Sequence, residues 1–150
     1  MTTPQTLTLL GSTGSIGQNA LAVLRLCPER YRVFALCAHR QWERLLAQCR
    51  EFRPDYAVLG NAADAARLRA ALRDSGVKTG VLHGADALCQ VAAAAEVDTV
   101  MAAIVGAAGL PSALAAAKAG KKILLANKES LVMAGALFMQ AAKENGAVIL

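Results

Sequence analysis

The sequence predicts an α/β fold, a doubly wound and mainly parallel sheet with helices on both faces. Three observations predict it. Apolar runs of strand length alternate with amphipathic stretches of helix length along the whole chain. The runs at residues 31–38, 99–104 and 123–126 are almost continuously apolar, the pattern of strands covered on both faces. The first run, residues 7–10, passes through a loop with a glycine at every third position (Gly11, Gly14, Gly17) straight into a helical pattern.

Taken in order, residues 16–26 carry Ile16, Ala20, Val23, Leu24 and Leu26 at helical spacing, and Pro28 ends the helix. The strand at 31–38 follows, then a helix over 41–52 with Trp42, Leu45, Leu46, Cys49 and Phe52 on one side, stopped by Pro54. Residues 56–59 form a short strand. Asn61 caps the next helix, with Ala65, Leu68 and Leu72 inward and Asp74-Ser75-Gly76 as its exit. A weaker strand at 77–82 and a helix at 85–95 lead to the buried strand at 99–104. A second small-residue loop, Val105-Gly106-Ala107-Ala108-Gly109, opens a helix with Pro111 in its first turn, and Gly120 ends it. The strand at 123–126, a helix at 129–145 and the start of one more strand at 147–150 complete the chain. There is no linker, repeat or low-complexity tract, so one domain over 1–150 is expected. The chain stops inside an apolar strand, which predicts that it is the first part of something longer.

Composition narrows the function classes. Of 150 residues, 55% are hydrophobic and 18% charged, which excludes a disordered chain. No apolar run reaches the length of a membrane span, and the first ten residues lack the basic start of a secretory signal, so the cytoplasm is expected and a membrane partner is not. Cys27, Cys37, Cys49 and Cys89 show no C-x-x-C spacing and read as small buried hydrophobes. The net charge of +5 comes with no interleaved aromatic residues. An anionic small ligand accounts for it, and no nucleic-acid partner is expected.

Three strand ends carry the candidate chemistry, because ligands of doubly wound sheets bind beyond the carboxyl ends of the strands. At the first, a helix N-terminus offers unpaired N–H groups and partial positive charge to a pyrophosphate. The glycines allow the turn and the close approach, and Ser12, Thr13 and Ser15 add hydroxyl donors to the same concavity. The spacing is G-x-x-G-x-x-G rather than G-x-G-x-x-G. At the second end, Ala38-His39-Arg40-Gln41, there is no acid to bind a ribose 2′-hydroxyl; the flanking carboxylates are Glu29 and Glu43. Arg40 suits a 2′-phosphate instead. Two charged hydrogen bonds of about 1.5 kcal/mol each would favour NADP over NAD about a hundredfold. Gln41 supplies a further donor, and His39 is placed to lie against an adenine. At the third end, Leu125-Ala126-Asn127-Lys128-Glu129-Ser130, capping explains Asn127 and Glu129 but not Lys128, since a cation is unfavourable at a helix start. Capping alone and an anionic ligand both remain open there. His83 reads as a surface residue, and no nucleophile has a base beside it.

Three stretches together carry a family resemblance: Leu10-Gly11-Ser12-Thr13-Gly14-Ser15-Ile16-Gly17, Met101-Ala102-Ala103-Ile104-Val105-Gly106-Ala107-Ala108-Gly109-Leu110, and Ile123-Leu124-Leu125-Ala126-Asn127-Lys128-Glu129-Ser130-Leu131-Val132. The chain resembles the N-terminal, Rossmann-type NADPH-binding domain of 1-deoxy-D-xylulose 5-phosphate reductoisomerase over essentially its whole length. The resemblance implies an oxidoreductase of the non-mevalonate isoprenoid pathway. That enzyme converts 1-deoxy-D-xylulose 5-phosphate to 2-C-methyl-D-erythritol 4-phosphate with NADPH and a divalent metal, Mg or Mn.

By the same resemblance Thr13, Gly14, Ser15 and Ile16 hold the NADPH phosphates, and Arg40 and Gln41 face the 2′-phosphate. Asn127 and Glu129 contact the cofactor, and Lys128 the sugar phosphate substrate. His39 stands where some members have glycine, and Arg40 where some have lysine. The metal ligands, the catalytic residues and the homodimer surface would lie outside this chain, which is expected to bind NADPH without turnover. Two other readings stay open. One is the NADP-binding half of a different aldehyde or imine reductase; the other is a nucleotide-sensing module with no catalysis.

Overall fold

A computed structural model describes residues 3–126 and 128–150, with backbone alone for 128–134. The strands are β1 (Gln5–Leu10), β2 (Tyr31–Cys37), β3 (Tyr56–Leu59), β4 (Gly80–His83), β5 (Thr99–Ala102), β6 (Lys122–Leu125) and β7 (Val148–Ile149). Between them run α1 (Ser15–Leu26), α2 (Trp42–Phe52), α3 (Ala62–Ser75), α4 (Ala85–Ala93), α5 (Leu110–Lys118) and α6 (Lys128–Asn145). All pairings are parallel, in the order β4-β3-β2-β1-β5-β6-β7. The chain winds outward from β1 through β2, β3 and β4, then returns to pair β5 on the other side of β1. The β1/β5 junction is therefore the topological switch point, where the loops above neighbouring strands part and leave a crevice.

Each face of the sheet has its own core. Leu21 and Leu24 of α1, Leu45 and Cys49 of α2, and Ala65, Leu68 and Leu72 of α3 pack on Leu7, Leu9, Val33, Leu36, Ala57 and Leu59. On the other face α4, α5 and α6 present mostly alanines (Ala87, Ala92, Ala113, Ala116, Ala117, Ala141, Ala142) with Val91 and Phe138, against Leu10, Val58, Val100 and Ile123. β2 breaks its alternation once: Phe34 and Ala35 both join the second core. The cause is a slip in register, Leu7 opposite Val33 and Thr8 opposite Ala35, which leaves Phe34 as an extra residue.

Most predicted elements stand within a residue or two of the expected bounds. In α1 the inward stripe is Gly17, Leu21 and Leu24, not the set read from the apolar period. Ile16, Val23 and Leu26 are exposed. Apolar residues all round that helix made its face ambiguous, and the close contact at Gly17 decides it. β4 begins at Gly80 rather than residue 77. The last helix is broken at Gly135, whose φ of 12° and ψ of −96° are not helical.

Candidate functional site

The three loop glycines are there for different reasons. Gly11 has φ +86°, and a Cβ on it would lie 2.7 Å from the Ala103 carbonyl oxygen at the end of β5. Gly17 packs so closely under the loop that a Cβ would fall 2.1 Å from the Gly11 carbonyl oxygen. Both are required by the fold itself. Gly14 is not. Its φ of −73° suits any residue, and the nearest atom to a Cβ there is the Gly11 carbonyl oxygen at 4.0 Å. None of the described residues uses the room beside Gly14.

Hydrogen bonds around this room are equally unspent. Gly14 is the N-cap of α1, no side chain caps the helix, and its first turn carries no acid. The first helical bond runs from the Gln18 N–H to the Gly14 carbonyl at 2.9 Å. The N–H groups of the preceding turn therefore have no helical acceptor and remain available to an anion. The Gln18 side-chain amide donates to the Thr13 carbonyl at 2.7 Å. Across a trans peptide this turns the Gly14 N–H to the opposite side. The base of the loop is anchored by Gly11 and Ser12, whose N–H groups both donate to the Cys37 carbonyl, at 2.9 and 2.8 Å.

Thr13 and Gly14 open onto a cavity of about 380 Å³ above the switch point. Its other walls come from the ends of three more strands: Cys37, Ala38 and His39 after β2, Leu59 and Gly60 after β3, and Ala103, Ile104 and Val105 after β5. The lining is mainly apolar. Burial pushes the Cys37 thiol well up, with the nearby Cys49 adding to the shift, so this wall stays uncharged. Burial likewise pushes Cys49 up to about 12. His39 lies over Gly60, where a Cβ would meet its Nδ1 at 2.4 Å. An anion-binding helix start beside an uncharged slot walled by an imidazole fits a nucleotide: phosphate on the loop, base in the slot.

Among the residues singled out from sequence, Thr13, Gly14 and His39 meet in this cavity. Ser15 and Ile16 are exposed in the first turn of α1 beside it. Arg40 and Gln41 continue from His39 into α2 and are exposed; neither forms part of the lining. Arg40 has no ion-pair or side-chain hydrogen-bond partner among the described residues. Ser12 is corrected: its side chain is enclosed in the protein and offers no hydroxyl to the concavity. Asn127 lies outside the described residues, as do the side chains of Lys128 and Glu129. Sequence reading missed Gly60, Gln18 and Gln48. Gly60 carries no mark in sequence beyond following a short strand. Gln48 had a visible signal, a polar residue on the inward stripe between Leu45 and Cys49; its amide donates to the Ser12 carbonyl at 2.9 Å.

With this geometry in place, comparison with known proteins is decisive. The family model described as 1-deoxy-D-xylulose 5-phosphate reductoisomerase matches residues 7–135. The chain belongs to the 1-deoxy-D-xylulose 5-phosphate reductoisomerase family. The reductoisomerase of Cellvibrio japonicus (strain Ueda107) is 59% identical over 147 residues, covering 98% of this chain and 37% of that protein. The chain thus spans a little over a third of the length of such relatives. A crystal structure of DOX-P reductoisomerase in complex with NADPH, fosmidomycin and magnesium superposes with TM-score 0.94 at 51% identity, over 97% of this chain and 36% of that one. The Zymomonas mobilis reductoisomerase in complex with NADPH gives TM-score 0.93 at 41% identity, over 100% of this chain and 39% of that one. Of the three readings left open by sequence, family membership keeps the reductoisomerase.

Proposed function

We propose that this chain is the NADPH-binding domain, residues 1–150, of a 1-deoxy-D-xylulose 5-phosphate reductoisomerase, an NADPH-dependent oxidoreductase of non-mevalonate isoprenoid synthesis. The observation that carries the proposal is the unused room at Gly14, beside an uncapped helix start at the switch point. NADPH, when bound, would supply the hydride for the reductive part of the reaction.

The chain's own residues do the holding. Backbone N–H groups from Thr13 to Ile16 bind the pyrophosphate, and the helix start adds its partial charge. His39 borders the adenine slot. Arg40, exposed and without a side-chain partner among the described residues, reaches the 2′-phosphate with Gln41 as a second donor. Asn127 and Glu129 belong to the cofactor side of the site and Lys128 to the sugar phosphate. Among the described residues no group of three His, Cys, Asp or Glu side chains is placed to hold a metal. We therefore assign the Mg or Mn ligands, with the homodimer surface, to the length of the relatives that this chain does not span. No helix among the described residues is long and apolar enough to cross a membrane, and the cytoplasm is the proposed location.

Fluorescence titration of the 150-residue chain with NADPH and with NADH tests the reading. Preferential binding of NADPH, with no turnover of 1-deoxy-D-xylulose 5-phosphate, is the expected result. Binding of neither nucleotide would overturn it.

A further inference from the structure

We propose that Gln48 is a positioning residue for the dinucleotide site: it ties the glycine loop to α2 and so sets the distance between the loop's free N–H groups and the Arg40–Gln41 end. The proposal rests on the NADPH reading above.

Gln48 sits on the buried stripe of α2 with Leu45 and Cys49. Its Nε2 donates to the Ser12 carbonyl at 2.9 Å, whereas its Oε1 is buried with no partner among the described residues. For packing alone an apolar side chain would fill this place without enclosing an unpaired amide oxygen. The one bond the amide makes goes to the loop. It completes a grip on Ser12 from both sides, since the Ser12 N–H already donates to the Cys37 carbonyl at 2.8 Å. Cys37 ends β2 and Gln48 belongs to α2, the two elements that flank His39, Arg40 and Gln41. Gln41 is the residue immediately ahead of the first turn of α2, and Gln48 lies on the buried stripe of that same helix. The element that holds the loop is thus the one that follows directly on Arg40 and Gln41. A ligand with a pyrophosphate and a 2′-phosphate needs that spacing to be right, and a ligand with the pyrophosphate alone does not.

The test compares NADPH and NADH binding, alongside thermal melting, for the wild-type chain, Gln48→Met, Gln48→Glu and Arg50→Ala. Gln48→Met keeps the shape and removes the tie. It should melt within about 3 °C of wild type, lose about tenfold in NADPH affinity, and leave NADH binding nearly unchanged, so that the preference narrows. Gln48→Glu, which as the carboxylate accepts but cannot donate, should narrow it at least as far when measured at alkaline pH. Arg50→Ala removes the bond from α2 to Ser75 (2.9 Å) and should leave the preference intact. An unchanged preference in both Gln48 variants overturns the proposal. So does an equal loss of both nucleotides with a lowered melting temperature, which marks a purely structural role. Absence of any preference in the wild-type chain overturns the parent NADPH reading instead, whatever the variants do.

Discussion

The two edges of this sheet carry cavities of opposite character. At the amino edge, beneath the starts of β1 and β2, lies an open groove of about 590 Å³ bordered by Arg25, Arg32 and Glu51. At the carboxyl edge lies the smaller cavity of about 380 Å³ at the glycine loop. The larger groove is chemically finished. Arg25 makes two bonds to Glu51, Arg32 makes two to Asp55, and Arg25 also lies over the Phe52 ring at 5.4 Å. Helices end at this edge, and α1, α2 and α3 each carry an arginine in the last turn (Arg25, Arg50, Arg73), where it faces the negative end of the helix dipole. At the carboxyl edge helices begin, N–H groups of the first turn lack helical acceptors, and a glycine leaves room that none of the described residues fills. A binding site is distinguished here by unspent hydrogen bonds and missing side chains, not by volume. The contrast also locates part of the positive charge: three of the ten arginines serve helix ends away from the glycine loop.

The sharpest way to break the comparison is within the loop. Gly17→Ala drives a Cβ into the loop backbone and should cost about 3 kcal/mol of folding stability, measured by urea unfolding. Gly14→Ala should cost less than about 1 kcal/mol, because its Cβ meets only the Gly11 carbonyl oxygen, at an ordinary contact distance of 4.0 Å. The same Gly14→Ala should weaken NADPH binding at least about tenfold, since the methyl occupies the phosphate's approach. If Gly14→Ala unfolds the chain and spares binding, the division of labour among the glycines is wrong.

Arg40→Ala comes next in size. From sequence the 2′-phosphate contact was worth about a hundredfold in preference. The exposure of Arg40 reduces that to about tenfold at physiological salt, because solvent and ions screen it. NADH affinity should not change. The NADPH preference of the wild type should itself shrink as salt is raised, and a salt-independent preference would exclude Arg40 as its source.

What was legible in sequence follows the same division. Elements showed wherever the chain punctuates itself. Pro28 and Pro54 stop α1 and α2. Asn61 caps α3 through a bond from the Asp64 N–H to its side chain at 2.8 Å, and Gly76 at φ +69° ends that helix. The glycine loop was legible because its residues are chosen for backbone reasons. Features that depend on two elements meeting were not. The bulge at Phe34 has no mark in an apolar run without alternation, and the face of α1 is decided by Gly17 against Gly11 rather than by apolar count. The role of Gln18 and Gln48 rests on which carbonyl each amide finds in three dimensions. The tie from Gln48 to Ser12 spans 36 residues of sequence, beyond any periodicity.

The smallest expected effect belongs to the amino edge. Arg25 and Glu51 are both about half exposed, at 47% and 43% of their side-chain surface, so their pair should contribute no more than about 0.5 kcal/mol. The hydrogen bond from Arg25 holds the Glu51 carboxyl below the usual carboxylate range, with charge attraction adding to it. A carboxylate with a lowered folded value stabilises the protein above its unfolded value, about 4.3, and that contribution fades as pH falls through the folded value. Arg25 is shifted upward by the same bond, and its contribution would be lost only at alkaline extremes. Glu51→Gln should therefore lower stability slightly at pH 7, and the difference from wild type should shrink as pH falls below about 4.3 and through the lowered folded value. Nucleotide binding should be identical in the two proteins at pH 7. A measurable loss of NADPH affinity in Glu51→Gln would mean that the two edges are coupled through α1 and α2, and that the amino-edge groove is not the closed account its ion pairs make it.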